Sequence, residues 1–301
     1  SPRSCLSLGS PANLARSAKL TCGSNTNLAT RRRSERRIGG IILTTIIVTG
    51  TYFLTSFILT ITNFINPYLK IAISIFLIYT ALAIKDLNIE ATDVYRELER
   101  NNLEGARRKL TFIVGRDTAN LNREEIIRAT VETVAESTVD GIISPLFYAF
   151  IGGAPLALAY KAVNTLDSMV GYENEKYRDF GWASAKLDDL ANFIPARLSA
   201  IFLPFASWLA GYDSLNSWRI IWRDGRRNPS PNNSIPEAAI AGALGVQLGG
   251  LNFYNSKAIQ KPLIGKNLRP LEIQDIKQAI RISYICATLV LITGIFLTWA
   301  I

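Results

Sequence analysis

Five apolar runs divide this chain, at 38–65, 68–84, 141–163, 193–212 and 282–301, with polar sequence between them. The first is long enough to cross a bilayer with tilt, the last just spans one, and 68–84 sits at the lower limit. The two middle runs are interrupted by Pro145, Gly152, Gly153, Pro155, Pro195 and Arg197, which predicts kinked spans or re-entrant pieces lining a cavity. The expected fold is all-α: a polytopic integral membrane helical bundle with about four to six membrane segments, some broken, and cytoplasmic helical loops.

The polar intervals have their own texture. Residues 86–111 read as a soluble amphipathic helix, with Val94, Leu98 and Leu103 among alternating Glu and Arg. Asn122 with Glu125 three residues on predicts a capped helix start. Residues 213–235 read as a polar connection with an ordered turn at Asn228-Pro229-Ser230-Pro231-Asn232-Asn233. Ile235-Pro236-Glu237 then opens a helix with Pro near its start. The following 238–250 is rich in small residues, including Gly242, Gly245, Gly249 and Gly250, and allows close backbone packing within a bundle or beneath a ligand. No strand with convincing alternation stands out.

One polar pattern runs into the apolar sequence. Arg128, Glu132, Glu136 and Asp140 are spaced four apart, so a helix carries them as one stripe. Stacked acids repel unless a cation or a basic substrate sits among them, and ionisable groups at a membrane boundary are costly. The stripe is either a surface face with one Arg128–Glu132 ion pair or a magnesium or amine site, since hard oxygen ligands suit Mg²⁺. Lys161, Asn164 and Asp167 share a second helical face, where Lys161 is a snorkelling anchor or a phosphate ligand. Asp188, Asp189 and Asn192 precede the next apolar run, as an interfacial polar patch or as a second metal or substrate-amine site. Arg197, inside that run, is expected to pair with one of these acids.

Composition narrows the chemistry. The 33 Lys and Arg outweigh 24 Asp and Glu, a net +9. The excess lies on the flanks of apolar runs, so positive-inside orientation explains it better than nucleic acid does. Arg31, Arg32, Arg33, Arg36 and Arg37 put the start of the first span in the cytoplasm, and loops 85–140 and 213–281 with it. Simple counting of spans would send 164–190 outside, so the broken runs 141–163 and 193–212 are expected to return it to the cytoplasmic face. There is no histidine, and Cys5, Cys22 and Cys286 suggest neither a zinc site nor a disulfide framework. No phosphate-binding Gly-x-x-x-x-Gly-Lys-Ser/Thr loop and no Gly-x-Ser-x-Gly elbow occurs. Residues 1–37, rich in Ser, Arg, Asn and Ala, resemble a transit peptide in composition and read as an atypical, disordered or non-native tail before a single domain at 38–301.

Longer strings carry a resemblance. Gly115-Arg116-Asp117-Thr118, Arg128-Ala129-Thr130-Val131-Glu132-Thr133-Val134-Ala135-Glu136 and Asp140-Gly141 resemble the CobD/CbiB family of cobalamin biosynthesis. So do Gly152-Gly153-Ala154-Pro155, Tyr160-Lys161-Ala162-Val163-Asn164-Thr165-Leu166-Asp167, Lys186-Leu187-Asp188-Asp189-Leu190-Ala191-Asn192, Ser230-Pro231-Asn232 and Pro236-Glu237-Ala238-Ala239. The resemblance covers 31–301. Ser137, Asn228 and Asn233-Ser234-Ile235 depart from the family's usual Asn, His and Ala-Gly-Trp, and the 1–37 stretch stands where the family has an apolar segment and a His-Pro loop.

The resemblance implies a membrane-bound adenosylcobinamide-phosphate synthase of the prokaryotic cytoplasmic membrane. Such an enzyme joins aminopropanol, usually as its phosphate, to a carboxylate of adenosylcobyric acid, driven by ATP and Mg²⁺. On this reading Glu132, Glu136 and Asp140 hold Mg²⁺ and the amine end, and Lys161, Asp167, Asp188 and Asp189 complete the catalytic set. Arg116, Asp117, Arg128, Asn164, Arg178, Asn192, Arg197, Ser230, Asn232 and Glu237 bind substrate, with Lys161, Arg116 and Arg178 on phosphates. A homo-oligomer or other cobalamin-biosynthesis enzymes are further expected partners. The competing readings are a membrane sensor or transporter that shares the fold, and an intramembrane Mg²⁺-dependent prenyltransferase.

Overall fold

The computed structural model describes residues 11–170, 179–227, 230–254 and 256–300, with the backbone alone for 11–32 and for position 86. Helix α1 (Pro11–Ile65) carries the first apolar run, and α2 (Pro67–Ala81) the second, started by the Asn66 side chain capping Tyr68 N with Pro67 at the first helical position. The boundary at 37/38 falls inside α1. Position 1–10 of the expected tail, and Arg178 of the expected site, lie outside the described residues.

The interval read as one soluble helix is two, α3 (Ile84–Glu99) and α4 (Leu103–Leu110). Asn101 takes a left-handed conformation (φ 56°) and Asn102 caps α4 through Gly105 N, so two adjacent asparagines break what periodicity alone would continue. Helix α5 (Arg123–Thr138) begins with the expected reciprocal cap between Asn122 and Glu125. It passes into a π turn, Val139–Ile143, and on into α6 (Ser144–Val170). Inside α6 the chain breaks at Gly152 and Gly153 (φ 65°, ψ −160°), backbone space that glycine alone adopts readily. The break lies where Gly152, Gly153 and Pro155 interrupt the run.

Helices α7 (Trp182–Ala191) and α8 (Phe193–Leu209) bend by 43° at Asn192. The polar connection after them holds a further helix, α9 (Ser214–Asp224), capped by Asp213 and burying Ser217, Ile220 and Asp224 on one face. Then come α10 (Ser234–Leu244), buried throughout and ended by Gly245 at φ 69°, and α11 (Gln274–Ala300). Between these two lies an antiparallel hairpin, β1 (Gln247–Tyr254) with β2 (Lys257–Gly265). Its strands lack clean alternation because the register slips between Leu248 and Gly250 and because Pro262 interrupts β2.

Among the described residues three helical stretches are long and apolar enough to cross a membrane: Arg33–Ile65, Arg123–Val170 and Gln274–Ala300. The bent α7–α8 pair makes a fourth if counted as one span, and α2 and α10 are shorter apolar helices. The protein is an integral membrane helical bundle with broken segments. α1 packs on α6 and α2, whereas α3, α4, α10, α11 and the hairpin pack on α5, and α9 packs on α10, α8 and β2.

Two polar ties have testable consequences. Arg33 Nε and Arg37 Nε both donate to Asp179 Oδ1, at 2.8 and 3.2 Å, and Arg37 lies over the Trp182 ring. The arginine-rich start of the first span thus shares a face with the start of α7. A Cys introduced at Ser168 is therefore expected to react with an impermeant maleimide from the cytoplasmic side; labelling from the opposite side alone would refute that orientation. In the second tie, Asp224 accepts from Arg223 Nε (2.8 Å) and Gly265 N (2.9 Å), with Arg227 Nε at 3.1 Å, fastening α9 to β2. Burial pushes the Asp224 carboxyl up, but the Arg223 hydrogen bond, the Gly265 N–H and the two arginine charges outweigh it and hold it below the ordinary value. A carboxyl lowered on folding contributes stability above its unfolded pKa and loses it as pH falls through the folded one. Thermal midpoints should therefore drop below about pH 4, and Asp224→Asn should flatten that part of the profile.

Candidate functional site

The acidic stripe is not one site but three differently partnered positions. Glu132 is buried, and both its oxygens are taken: Arg116 Nη2 donates to Oε2, and Gly249 N to Oε1 at 2.8 Å. Arg116 Nη1 also donates to Asn252 Oδ1 (2.7 Å). Arg128 makes the i,i+4 ion pair of the surface-face alternative, its Nε 3.9 Å from Glu132 Oε1, while its Nη1 and Nη2 donate to the carbonyls of Gly249 and Leu251 and to Asn252 Oδ1. Burial disfavours the Arg116 cation, but the Glu132 charge and hydrogen bond outweigh it and keep its pKa above the usual value. Arg116, Arg128 and Glu132 therefore bolt the hairpin to α5. The positive φ of Gly249 (85°) is part of this joint, since a Cβ there would collide with the Pro262 carbonyl.

One turn on, Glu136 is half-buried. It accepts a long hydrogen bond from Asn233 Nδ2 (3.4 Å), and Lys261 Nζ from β2 stands 3.8 Å away. Glu237, buried on α10, adjoins this pair. Burial first, then the Glu136 and Glu132 charges, push its carboxyl well above the usual range, which favours its protonated form. Burial works against the Lys261 ammonium, yet Glu136, Glu237 and Glu132 outweigh it, so Lys261 stays charged.

The next acid, Asp140, lies in the π turn. Four residues of α-helix overshoot a full turn by about 40°, so a four-spaced stripe drifts around the axis. The wider π turn, closed by Ser144 N on Val139 O, winds more slowly and offsets that drift. Asp140 faces the charges of Asp188, Glu136 and Asp167, with Lys161 opposing them. Asn192, at the α7–α8 bend, ties this region together: its Oδ1 accepts from Ser144 Oγ (2.6 Å) and Tyr160 Oη (2.8 Å), and its Nδ2 donates to Asp188 Oδ2 (3.0 Å). Tyr160 Oη also reaches the Asp140 carbonyl at 3.1 Å, and its ring stacks on Tyr148. Asn164 also reaches the Asp188 carboxyl, whose other oxygen, Oδ1, is buried without a hydrogen-bond partner of good geometry among the described residues.

A satellite of this cluster involves Arg197. It pairs with no acid among the described residues; its Nη1 donates instead to Asn232 Oδ1 (2.7 Å) and the Phe193 carbonyl (3.0 Å). Asn232 Nδ2 in turn holds the Asp189 carbonyl at 2.8 Å, and Ser230 Oγ reaches Asp189 Oδ1 at 3.3 Å. The two carbonyl-type acceptors solvate the guanidinium without neutralising it. Asp117 stands apart from these acids, at the hairpin end, where its Oδ2 accepts from Ser256 N (2.7 Å).

The structure thus brings Glu136, Asp140, Asp167, Asp188 and Lys161 into one electrostatic neighbourhood, contributed by α5, the π turn, α6 and α7. Among the described residues no three acidic or cysteine side chains converge closely enough to hold a metal ion by themselves. Sequence reasoning did not pick out Lys261, Tyr160 or Asn252. Lys261 sits in an interval without recognisable alternation, and Tyr160 lies beside Lys161 in a helical run where an aromatic residue reads as ordinary packing. The one available signal was the Gly249-Gly250 pair, which marks a bulge and hence a redirected strand.

A family model described as CobD/Cbib protein matches residues 6–283, reaching back beyond the point at which the resemblance begins. A cobalamin biosynthesis protein CobD of Geobacter metallireducens is 51% identical over 251 residues, which cover 83% of this chain and 79% of that protein. The protein of the same name from Citrobacter koseri is 49% identical, and cobalamin biosynthesis protein CbiB of Salmonella typhimurium 48%, each over 255 residues covering 85% of this chain and 80% of the relative. No solved structure gives a significant match.

Proposed function

From the premise that the chain belongs to the CobD/CbiB family and acts in cobalamin biosynthesis, we propose that it makes an amide bond between a corrinoid carboxylate and an aminopropanol, free or phosphorylated, at the expense of ATP. The product is adenosylcobinamide or its phosphate, and the site faces the cytoplasm from a prokaryotic inner membrane. The observation that carries the reading is the convergence of Glu136, Asp140, Asp167 and Asp188 with Lys161 and Lys261, which offers carboxylates to an ammonium or a divalent ion and cations to phosphates.

A carboxylate is a poor acylating agent at neutral pH. In the proposed sequence a corrinoid carboxylate oxygen attacks the terminal phosphorus of ATP and ADP leaves. The amine nitrogen then attacks the acyl carbon, and inorganic phosphate departs with the oxygen that the corrinoid supplied. The aminopropanol enters as an ammonium and must lose a proton first, for which an acid of the cluster serves as general base. Lys161 stabilises the phosphates, with Arg178 as a further candidate cation. Arg116 is committed to Glu132 and acts by positioning.

The donors suit Mg²⁺. Hard carboxylate oxygens are present, Asp188 Oδ1 is buried without a hydrogen-bond partner of good geometry among the described residues, and Mg²⁺ ordinarily takes one or two carboxylates plus phosphate oxygens and water. One or two of Glu136, Asp140 and Asp188 would hold it, with phosphate oxygens and water completing its shell, whereas Glu132 has no oxygen to spare. Bound there, the ion would neutralise charge on the phosphates.

The test is conversion of adenosylcobyric acid by purified protein in lipid nanodiscs. Product should require ATP and the aminopropanol substrate, and ¹⁸O placed in the corrinoid carboxylate should appear in inorganic phosphate. Product without ATP would overturn the ligase reading, and unlabelled phosphate would remove the activated acyl step alone.

A further inference from the structure

The hairpin lysine is under-used for so enclosed a cation. Its side chain is 24% exposed and faces Glu132, Glu136 and Glu237, yet among the described residues its only ion pair is the 3.8 Å approach to Glu136, beyond hydrogen-bond length. An ammonium carries three donors, and among the described residues no acceptor takes one of them within hydrogen-bond length. Nothing in the fold requires this residue for the joint with α5, which Gly249, Arg116 and Arg128 already make. Lys261 lies opposite Gly250 in the register, directly past the bulge, a device that re-aims a strand residue. Its neighbour Glu136 takes a 3.4 Å contact from Asn233 and shares a hydrogen bond with Glu237, so neither of its partners ties it to Lys261.

We propose that Lys261 binds a phosphate group of a substrate, exchanging Glu136 for a phosphate oxygen and thereby freeing the Glu136 carboxylate for the cation side of the site. The inference rests on the ligase reading, which supplies two phosphorylated substrates, ATP and aminopropanol phosphate. A point-charge lysine on a flexible stem suits such an exchange, because it can follow the phosphate without fixed bidentate geometry. The loose Lys261–Glu136 pair is then the resting arrangement that keeps both charges balanced while no phosphate is present.

The experiment measures equilibrium binding of ATP and, separately, of aminopropanol phosphate to the full chain in nanodiscs, without turnover. Lys261→Met should weaken one of the two by about tenfold, the loss of a charge-assisted hydrogen bond, and the affected ligand identifies the source of the phosphate. Lys261→Arg should retain most of the affinity. Glu136→Gln, assayed with inorganic phosphate in the absence of Mg²⁺ so that only its competition for Lys261 is read, should bind phosphate several-fold more tightly than the wild type; a purely structural lysine would give no such gain. This second variant decides the matter if Lys261→Met does not fold. Wild-type binding unchanged by Lys261→Met, or not strengthened by Glu136→Gln, would overturn the lysine assignment and leave the ligase reading standing. A wild-type chain that binds neither ligand would overturn both.

Discussion

A chain carrying Glu136→Gln and Asp140→Asn together is expected to lose cobinamide formation by at least about a hundredfold, the scale on which one preorganised electrostatic partner acts. Both changes keep size and hydrogen-bonding capacity, so the variant should fold. They remove the two carboxylates that face Asp167, Asp188 and Lys161. Without them the ammonium has fewer anions to settle on and a divalent ion loses two of its three candidate carboxylates. The readout is conversion of adenosylcobyric acid in vitro, together with growth of a cobinamide-requiring strain that carries the variant. Unchanged output in both would end the assignment of this cluster as the reaction site.

The second large effect concerns folding. Arg116→Ala leaves Glu132 buried beside a vacated cationic position, with Gly249 N–H as its remaining partner. Breaking a buried pair by removing one member typically costs about 3–5 kcal/mol, whereas replacing both by apolar groups of similar volume is often close to neutral. The expected order of thermal midpoints in one detergent is therefore wild type, then Arg116→Met/Glu132→Met close behind, with Arg116→Ala far below. If Arg116→Ala melts with the wild type, Glu132 is not held as described and would return to the set of candidate ligands.

These two experiments divide a stripe that the sequence presents as uniform. Four-residue spacing was enough to put Arg128, Glu132, Glu136 and Asp140 on one side of a helix, because side-chain direction on a helix is a local property. Their partners were not legible, because every one comes from a distant segment: Arg116 from the loop before α5, Gly249 and Lys261 from the hairpin, Asn192 from the α7–α8 bend. The broken middle spans were legible, since Gly152-Gly153 and Pro155 act through their own backbone. The hairpin escaped because its bulge destroys the two-residue alternation that betrays a strand. Helix α9 escaped because its buried face is small and polar, with Ser217 and Asp224 where an apolar stripe would be sought.

The π turn between α5 and α6 has a consequence for chain length. A wide turn of this kind holds one residue more than the tight spiral on either side. Removing one residue from 139–143 would let the rod close into an uninterrupted coil with the distal half keeping nearly its present heading, whereas removing one from the regular coil that follows, at 144–151, would swing everything beyond it by about 100°. After that second deletion Lys161 and Asp167 would point away from Asp140, although no reactive group had been altered. The aim of the distal half is set by a count of residues, so a shortening there would disarm the molecule as surely as losing an acid.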